Sequence, residues 1–175
     1  VAPNERGFLY GDGVFTSIRV RDGSPRLWPH HLARLQQGQH GLGLQVDLEQ
    51  LSQQAFKYAA QLQHGTLKII ISRGAGGRGY LPPEQPAAVY FQLFASVDLV
   101  PEPQIDGLFV ASQIASGVLL APRLGYPMQR LVGLKTLNRL EQVLLRQALA
   151  QTPWPEGLVF DQHDRLVEGV QSNCW

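Results

Sequence analysis

Two β-rich runs, TLKIIIS and AAVYFQLFA, are separated only by a segment rich in glycine and proline, and this arrangement constrains the fold most strongly. β-Branched and aromatic residues are enriched in strands, whereas clusters of glycine and proline mark turns and loops. A third run of the same kind, LFVASQ, follows at residues 108–113. The three runs together predict a mixed or antiparallel sheet.

Three glycines of the intervening segment satisfy the spacing G-x-G-x-x-G: Gly74, Gly76 and Gly79. In a dinucleotide-binding loop such glycines join a strand to a helix, whose N-terminus receives the pyrophosphate. Three prolines follow the last glycine: Pro82, Pro83 and Pro86. Because proline interrupts a helix, we interpret the segment as a hairpin connection and not as a nucleotide site.

Two arginines among these glycines, Arg73 and Arg78, leave two interpretations open. In the first, both guanidinium groups are solvated on an exposed hairpin. In the second, they lie beside backbone free of side chains and capture a carboxylate or a phosphate through bidentate hydrogen bonds. The spacing alone does not separate these interpretations.

The other patterns of the N-terminal part predict one hairpin and two helices. The stretch YGDGVFTSIRVRDGSPRLW alternates between two faces and has a turn signal at Asp22 and Gly23, as in a β-hairpin. A first helix includes WPHHLARL, where Pro29 fits the first turn, and ends near Gly41. A second helix has Asp47 as its N-cap and apolar residues at helical spacing after it.

We expect an N-terminal α+β domain at residues 1–115, a connection rich in proline and glycine at 116–132, and the start of a second domain at 133–175. In this last part, NRLEQVLLRQALAQ predicts a helix with Asn138 and Glu141 as a capping box. GLVFD and RLVEGVQSN predict a second hairpin. The apolar face of the helix is expected to contain three residues: Leu140, Leu144 and Ala148.

The charge pattern and the cysteine count argue against several classes of function. The formal net charge is +1 and only 17% of the residues are charged, so nucleic acid and membrane surfaces are not expected partners. The single cysteine, Cys174, excludes a disulfide framework and is typical of a reducing compartment. Without a long apolar stretch or a signal-peptide pattern, the sequence predicts a cytoplasmic protein. No H-E-x-x-H or G-x-S-x-G spacing occurs, so neither a metal site nor a serine hydrolase is expected.

Lysine is the residue type that most directly suggests chemistry. The chain has three: Lys57, Lys68 and Lys135. Lys135 lies in the apolar stretch LVGLKTLNRL, just before the third predicted helix. Such a lysine either extends its ammonium group to the surface or is partly desolvated, which favours the neutral amine that acts as a nucleophile. Composition alone favours the first alternative.

Four stretches in this order resemble the fold-type IV pyridoxal-phosphate enzymes: GFLYGDGVFTSIRV, HHLARL, LKTLNRLEQVLL and LVFDQHDRLVEGVQSN. That family includes branched-chain and D-amino-acid aminotransferases and aminodeoxychorismate lyases. SRGAGGRGY and K-x-L-N-R-L-E-Q are similar to the lyases in particular, since the aminotransferases usually have tyrosine at the position of Arg139. The resemblance covers nearly the whole chain, and family members extend beyond both of its ends. It implies a two-domain α+β fold with an N-terminal α/β sandwich and the start of an incomplete, β-rich C-terminal domain.

The resemblance also implies which residues bind the cofactor. Lys135 would hold pyridoxal phosphate covalently and act afterwards as the proton-transfer base. Glu168 would pair with the pyridine nitrogen, and Arg34 would bind the phosphate, a bidentate task suited to arginine. Asn138 and Arg139 would line the pocket near the cofactor ring.

The implied activity is a pyridoxal-phosphate-dependent lyase that converts 4-amino-4-deoxychorismate to 4-aminobenzoate and pyruvate in folate biosynthesis. Because this substrate has two carboxylates, Arg73, Arg78 and Arg139 are expected to bind it. A homodimer is expected, as in the family. Two alternatives stay open: a branched-chain or D-amino-acid aminotransferase of the same fold, and a non-catalytic domain that binds a cofactor or metabolite.

Overall fold

The computed structural model describes residues 2–96, 119–120, 131, 133–154, 156–160 and 164–170. The helices are α1 (Arg6–Tyr10), α2 (Trp28–Leu42), α3 (Leu48–Leu62) and α4 (Leu140–Leu149). The strands are β1 (Gly13–Arg21), β2 (Ser24–Pro25), β3 (Gly65–Ser72), β4 (Ala88–Ala95), β5 (Leu119–Leu120), β6 (Gly157–Phe160) and β7 (Leu166–Gly169). These residues form two compact units, one with residues 2–96, 131 and 133–138 and one with the rest. None of the described helices is long and apolar enough to span a membrane.

The first unit is built on a four-stranded antiparallel sheet in the order β2-β1-β3-β4. β1 pairs with β3 from Gly13 opposite Ser72 to Val20 opposite Gly65. β3 pairs along its whole length with β4, so the glycine-rich segment connects two neighbouring strands. Residues 73–87 are termed the glycine loop below. The antiparallel sheet and the hairpin connection are confirmed, while LFVASQ lies outside the described residues.

The core of this unit lies on one face of the sheet, against α2 and α3. Side chains of a strand alternate between its faces, and every second residue of β1 is buried: Val14, Thr16, Ile18 and Val20. Leu67, Ile69 and Ile71 of β3 are fully buried in the same way. Leu35 of α2 and three residues of α3 complete the layer: Leu51, Ala55 and Ala59. The alternation leaves Phe15 on the opposite face of β1.

The two long helices of the first unit form where the sequence predicts them. The side chain of Asp47 accepts hydrogen bonds from the backbone N–H groups of Glu49 and Gln50, at 2.9 and 3.0 Å. This confirms Asp47 as the N-cap of α3, because a carboxylate satisfies amides that have no partner within the helix. Helix α2 ends at Leu42 with Gly43 as its C-cap, which agrees with the predicted end near Gly41.

Helix α1 was not predicted, since it has only five residues and no apolar periodicity. Its N-cap is Glu5, whose carboxylate accepts a hydrogen bond from the Phe8 backbone N–H at 3.0 Å. The same carboxylate accepts a hydrogen bond from the Ser72 hydroxyl at the end of β3. The Ser72 hydroxyl in turn accepts one from the Gly74 backbone N–H at 2.9 Å. A buried polar chain therefore joins the start of α1 to the start of the glycine loop.

The second unit contains α4 and a small sheet in the order β5-β6-β7. β6 and β7 are antiparallel, which confirms the predicted hairpin. Helix α4 begins at Leu140 with Arg139 as N-cap, and no side chain caps it. The prediction of Asn138 as the cap is therefore wrong. Residues 108–113 and most of the predicted connection at 116–132 lie outside the described residues.

The face of α4 that is buried also differs from the prediction. Leu145 and Leu149 pack with Val159 and Val170, whereas Leu140, Leu144 and Ala148 are exposed. The helix has two adjacent apolar stripes, and helical periodicity does not state which of them faces the hairpin. Leucines of the other stripe form an exposed apolar surface within the described part of the chain.

Candidate active site

The segment that contains Lys135 is fixed on the edge of β1. β2 pairs only with the end of β1, at Val20 and Arg21, so the start of the same edge is available to another segment. The backbone N–H of Phe15 donates to the Lys135 carbonyl at 3.0 Å, and that of Leu137 donates to the Gly13 carbonyl at 2.9 Å. Lys135 is thereby attached to a strand of the core.

The side chain of Lys135 is half-buried and lies beside the ring of Phe15. Its Nζ is 5.4 Å from the ring centroid, and the Nζ of Lys68 on β3 is 5.1 Å from the same centroid. A cation over an aromatic face contributes about 0.5–1 kcal/mol at exposed sites. Neither Phe15 nor Lys68 was predicted as a site residue. The available signal was a phenylalanine on the otherwise polar face of an alternating strand.

Arg34 lies on the exposed side of α2, one turn after His31. The Nδ1 of His31 is 2.7 Å from the hydroxyl oxygen of Thr16, which is buried on β1 beside Phe15. Burial lowers the pKa of His31 below its usual 6.5, and the charges of Arg34 and His30 lower it further. His31 therefore joins α2 to β1 as a neutral imidazole at neutral pH.

The glycine loop closes around an arginine that the sequence analysis did not single out. Arg6, at the start of α1, is 4% exposed. Its guanidinium donates to three consecutive carbonyls, those of Gly79 at 3.0 Å, Tyr80 at 2.8 Å and Leu81 at 3.5 Å. Its Nε donates to Asp12 at 2.9 Å. One buried side chain thus binds three carbonyls of the glycine loop, those of residues 79–81.

The spacing of the three glycines follows from this arrangement. A Cβ at Gly76 would lie 2.8 Å from Cδ of Arg6, too close for any side chain. Gly74 and Gly79 have φ angles of +83° and +98°, a region that favours glycine. The match to a dinucleotide fingerprint therefore comes from backbone that wraps an arginine, which agrees with the rejection of a nucleotide site.

Arg73 has a structural task in the same cluster. Its guanidinium donates to both carboxylate oxygens of Asp12, at 3.2 and 3.3 Å, and to the carbonyls of Leu42 and Gly43 at the end of α2. The last carbonyls of a helix lack partners within it, so Arg73 caps α2. These contacts favour a structural role for Arg73, and its binding of substrate stays a prediction. Arg78 is exposed.

The remaining predicted site residues are Asn138, Arg139 and Glu168. Asn138 is exposed and its backbone lies against Gly11, where a Cβ would be 3.0 Å from the Asn138 nitrogen. Arg139 and Glu168 belong to the second unit. Glu168 is half-buried on β7, opposite Val159 of β6. Its carboxylate accepts a hydrogen bond at 3.4 Å from the side-chain amide of Gln142 on α4.

A family model for class IV aminotransferases matches residues 13–175. The chain belongs to this family. The match includes every predicted cofactor residue, and the family depends on pyridoxal phosphate. The predicted resemblance is thereby confirmed.

Individual relatives of this chain carry two kinds of name. An aminodeoxychorismate lyase of Vibrio harveyi is 28% identical over 98% of this chain and 61% of its own length. A putative branched-chain-amino-acid aminotransferase of Methanocaldococcus jannaschii is 25% identical over 98% of this chain and 58% of its own length. The crystal structure of a 4-amino-4-deoxychorismate lyase from Pseudomonas aeruginosa is 40% identical, with a TM-score of 0.77, over 98% of this chain and 61% of that one.

The fold of this family member agrees with that crystal structure, and the predicted α+β fold is confirmed. The chain spans about 60% of the length of these relatives: 61% of the Vibrio harveyi protein and 58% of the Methanocaldococcus jannaschii protein. No group of three or more histidine, cysteine, aspartate or glutamate side chains arranged to bind a metal occurs in the described part of the chain.

Proposed function

We propose that the chain belongs to a pyridoxal-phosphate-dependent lyase that converts 4-amino-4-deoxychorismate to 4-aminobenzoate and pyruvate. The observation that carries this proposal is the placement of Lys135: a half-buried side chain on a segment attached to the core strand β1, beside an aromatic ring that a second lysine, Lys68, also faces. The 40% identity to a structure named as this lyase favours it over an aminotransferase.

The residues fit pyridoxal phosphate by the chemistry of their donors. Lys135 offers a primary amine that is partly withdrawn from water beside an aromatic ring, as a lysine that binds an aldehyde requires. Arg34 presents an exposed guanidinium on α2, suited to a phosphate. Glu168 presents a half-buried carboxylate on β7, suited to a protonated pyridine nitrogen. We expect each of these side chains to hold the corresponding part of the cofactor, with Asn138 and Arg139 near its ring.

When bound, pyridoxal phosphate withdraws electrons from the substrate carbon that bears the amine and so acidifies its proton. Lys135 accepts that proton in the proposed reaction. The bond between the neighbouring ring carbon and the enolpyruvyl oxygen then breaks, which leaves an aromatic 4-aminobenzoate and releases the three-carbon fragment as pyruvate. Every atom of the substrate is present in these two products, so no oxidant or amino acceptor is needed.

The two carboxylates of this substrate need cationic partners. Lys68 lies on the same ring of Phe15 as Lys135 and supplies a charge close to the reacting amine. Arg78 is exposed in the glycine loop and offers a bidentate partner for the second carboxylate. Arg73 is held by Asp12 and the end of α2, so we assign substrate binding to Arg78 first.

An aminotransferase is the second candidate, because the family and the Methanocaldococcus jannaschii relative bear that name. The two activities differ in one half-reaction. An aminotransferase converts the bound cofactor to its amine form with an amino acid, whereas the lyase releases pyruvate with no amino acceptor present. The absorbance of the bound cofactor reports the first outcome, and a pyruvate assay reports the second.

The experiment loads the chain with pyridoxal phosphate, removes the excess, and adds 4-amino-4-deoxychorismate while pyruvate is measured. Stoichiometric or catalytic release of pyruvate supports the lyase. Lys135→Ala should lose both the visible absorbance band of the bound cofactor and the release of pyruvate. Lys57→Ala, on the exposed side of α3, is the matched control and should retain both. A band without turnover of either substrate class would indicate a non-catalytic binding domain.

A further inference from the structure

We propose that Arg6 is a positioning residue that fixes the glycine loop, so that Arg78 is presented to the substrate. The inference rests on the proposed lyase function for its effect on the reaction, but the loop itself can be measured without activity. Arg6 lies outside the residues that resemble cofactor or substrate ligands, and its role follows only from its contacts.

Both sides of Arg78 are anchored to the N-terminal segment. On one side, Arg6 N–H donates to the Gly74 carbonyl at 2.9 Å, and Gly76 N–H donates to the Asn4 carbonyl at 3.0 Å. The Asn4 side-chain amide returns a hydrogen bond to the Gly76 carbonyl at 3.1 Å. On the other side, the Arg6 guanidinium holds the three carbonyls from residue 79 to residue 81. Arg78 lies between these two attachments.

A guanidinium suits this position because it offers five N–H donors in a rigid plane. Arg6 uses them on Asp12 and on carbonyls of the loop at once, and it also lies over the ring of Tyr10, 4.9 Å from the centroid. That ring contacts the ring of Tyr80 at 5.4 Å. Lysine would keep the charge, but its single ammonium group cannot reach the same set of acceptors.

Loss of the Arg6 contacts should weaken substrate binding without slowing the chemical step. Arg6 is almost fully buried and contacts the loop rather than the reacting lysine. Loss of its side-chain hydrogen bonds frees the peptide that follows Arg78 and so weakens substrate binding. The proton transfer at Lys135 is unaffected once substrate is bound, because Lys135 is held by β1. We therefore expect KM to rise and kcat to stay the same.

Two substitutions disturb the loop in independent ways, and each has a matched control. Arg6→Lys removes the planar donor set, and Arg21→Lys makes the same change at an arginine paired with the exposed Asp22. Gly76→Ala forces a Cβ against Arg6 without changing any charge, and Gly77→Ala adds the same methyl where nothing lies within 4 Å. The glycine pair keeps the test valid if Arg6→Lys does not fold.

The first readout is tryptic cleavage after Arg78 in the cofactor-loaded chain, with circular dichroism as the check of folding. We expect cleavage to accelerate about tenfold or more in Arg6→Lys and Gly76→Ala, the factor that loss of one hydrogen bond to a charged group produces. The rates of Arg21→Lys and Gly77→Ala should equal that of the unaltered chain. Equal cleavage in all five proteins would overturn the proposal.

The second readout is steady-state release of pyruvate by the same proteins. We expect KM to rise about tenfold in the two disturbed variants, with kcat within about twofold of the unaltered value, since misplacement of a binding group acts on substrate capture. Unchanged KM despite faster cleavage would refute the positioning role. If the unaltered chain releases no pyruvate while the cleavage rates differ as expected, the lyase function fails and the anchoring of the loop by Arg6 stands.

Discussion

Phe15 and Lys135 are joined twice. The Phe15 backbone N–H donates to the Lys135 carbonyl at 3.0 Å, and the Lys135 Nζ lies 5.4 Å from the Phe15 ring centroid. The first contact places the lysine backbone on the sheet, and the second limits where its amine can go. A single residue of β1 therefore contacts both the backbone and the amine of the lysine to which we assign the chemistry.

Phe15→Leu should tighten the binding of pyridoxal phosphate by about two- to fivefold, because the Lys135 amine must lose its proton to bind the aldehyde and the ring stabilises the ammonium form by about 0.5–1 kcal/mol. Leucine keeps the apolar character but lacks the ring that faces the lysine. The measurement is an absorbance titration of the chain with the cofactor. Phe56→Leu, which changes an exposed phenylalanine of α3, is the control and should leave the titration unchanged. Equal cofactor affinity in the two variants would show that the Phe15 ring does not influence cofactor binding.

Asp12→Asn should lower the free energy of unfolding by about 3 kcal/mol, because removal of one partner leaves buried charge uncompensated. Its carboxylate lies between Arg6 and Arg73, whose side chains are both largely buried. Urea unfolding followed by circular dichroism measures the change. Asp22→Asn makes the same substitution at a side chain that is 81% exposed, and an effect within about 0.5 kcal/mol is expected there. A loss below about 1 kcal/mol at Asp12 would contradict the charge cluster.

His31 should make the stability of the first unit depend on pH. Its pKa in the folded chain is lowered by burial below 6.5, so the unfolded chain binds a proton first as the pH falls. This contribution to stability is fully present above pH 6.5 and is lost as the pH falls through 6.5 towards the lower folded pKa.

His31→Gln should remove this part of the pH dependence, which urea midpoints at pH 7.5 and pH 5.5 would show. His40→Gln, at an exposed histidine in the last turn of α2, should retain the decrease. A decrease of the same size in both variants would mean that another group is responsible.

Arg73 and Arg78 should differ in the property that each controls. Arg78→Ala should raise the KM of the proposed lyase about tenfold or more, as loss of a hydrogen bond to a charged group does, with the urea midpoint unchanged because the side chain is exposed. Arg73→Ala should lower the free energy of unfolding by about 2 kcal/mol, since Asp12 loses one of its two arginine partners and the last carbonyls of α2 lose their donor. Each variant serves as the control for the other. A KM effect for Arg73→Ala without loss of stability would assign substrate binding to Arg73 instead.

Much of the first unit could be predicted from local patterns. The alternation in β1 identifies its buried face, and the apolar runs identify β3 and β4, because a strand in a half-buried sheet repeats every two residues. Asp47 identifies the start of α3, because a cap and its amides are neighbours in the chain. These features depend on residues a few positions apart.

Features that depend on partners in other parts of the chain were missed. The exposed stripe of α4 was predicted as its buried face, since both stripes are apolar and only packing against β6 and β7 separates them. The placement of Phe15 beside Lys135 joins residues 120 positions apart in the numbering, and Lys68 reaches the same ring from a third segment. No local sequence pattern predicts that these three residues lie together.

The glycine loop has one property that the local sequence predicts and one that depends on a distant residue. The sequence by itself determined that a glycine-rich connection, with glycine at residues 74, 76 and 79, joins two strands. Its prolines exclude the helix that a nucleotide site requires. Only the tertiary structure decided what the glycines surround, the guanidinium of Arg6. The physical reason is that backbone conformation is set by neighbours in the chain, whereas a buried charge takes whichever distant carbonyls and carboxylates the fold brings within hydrogen-bonding distance.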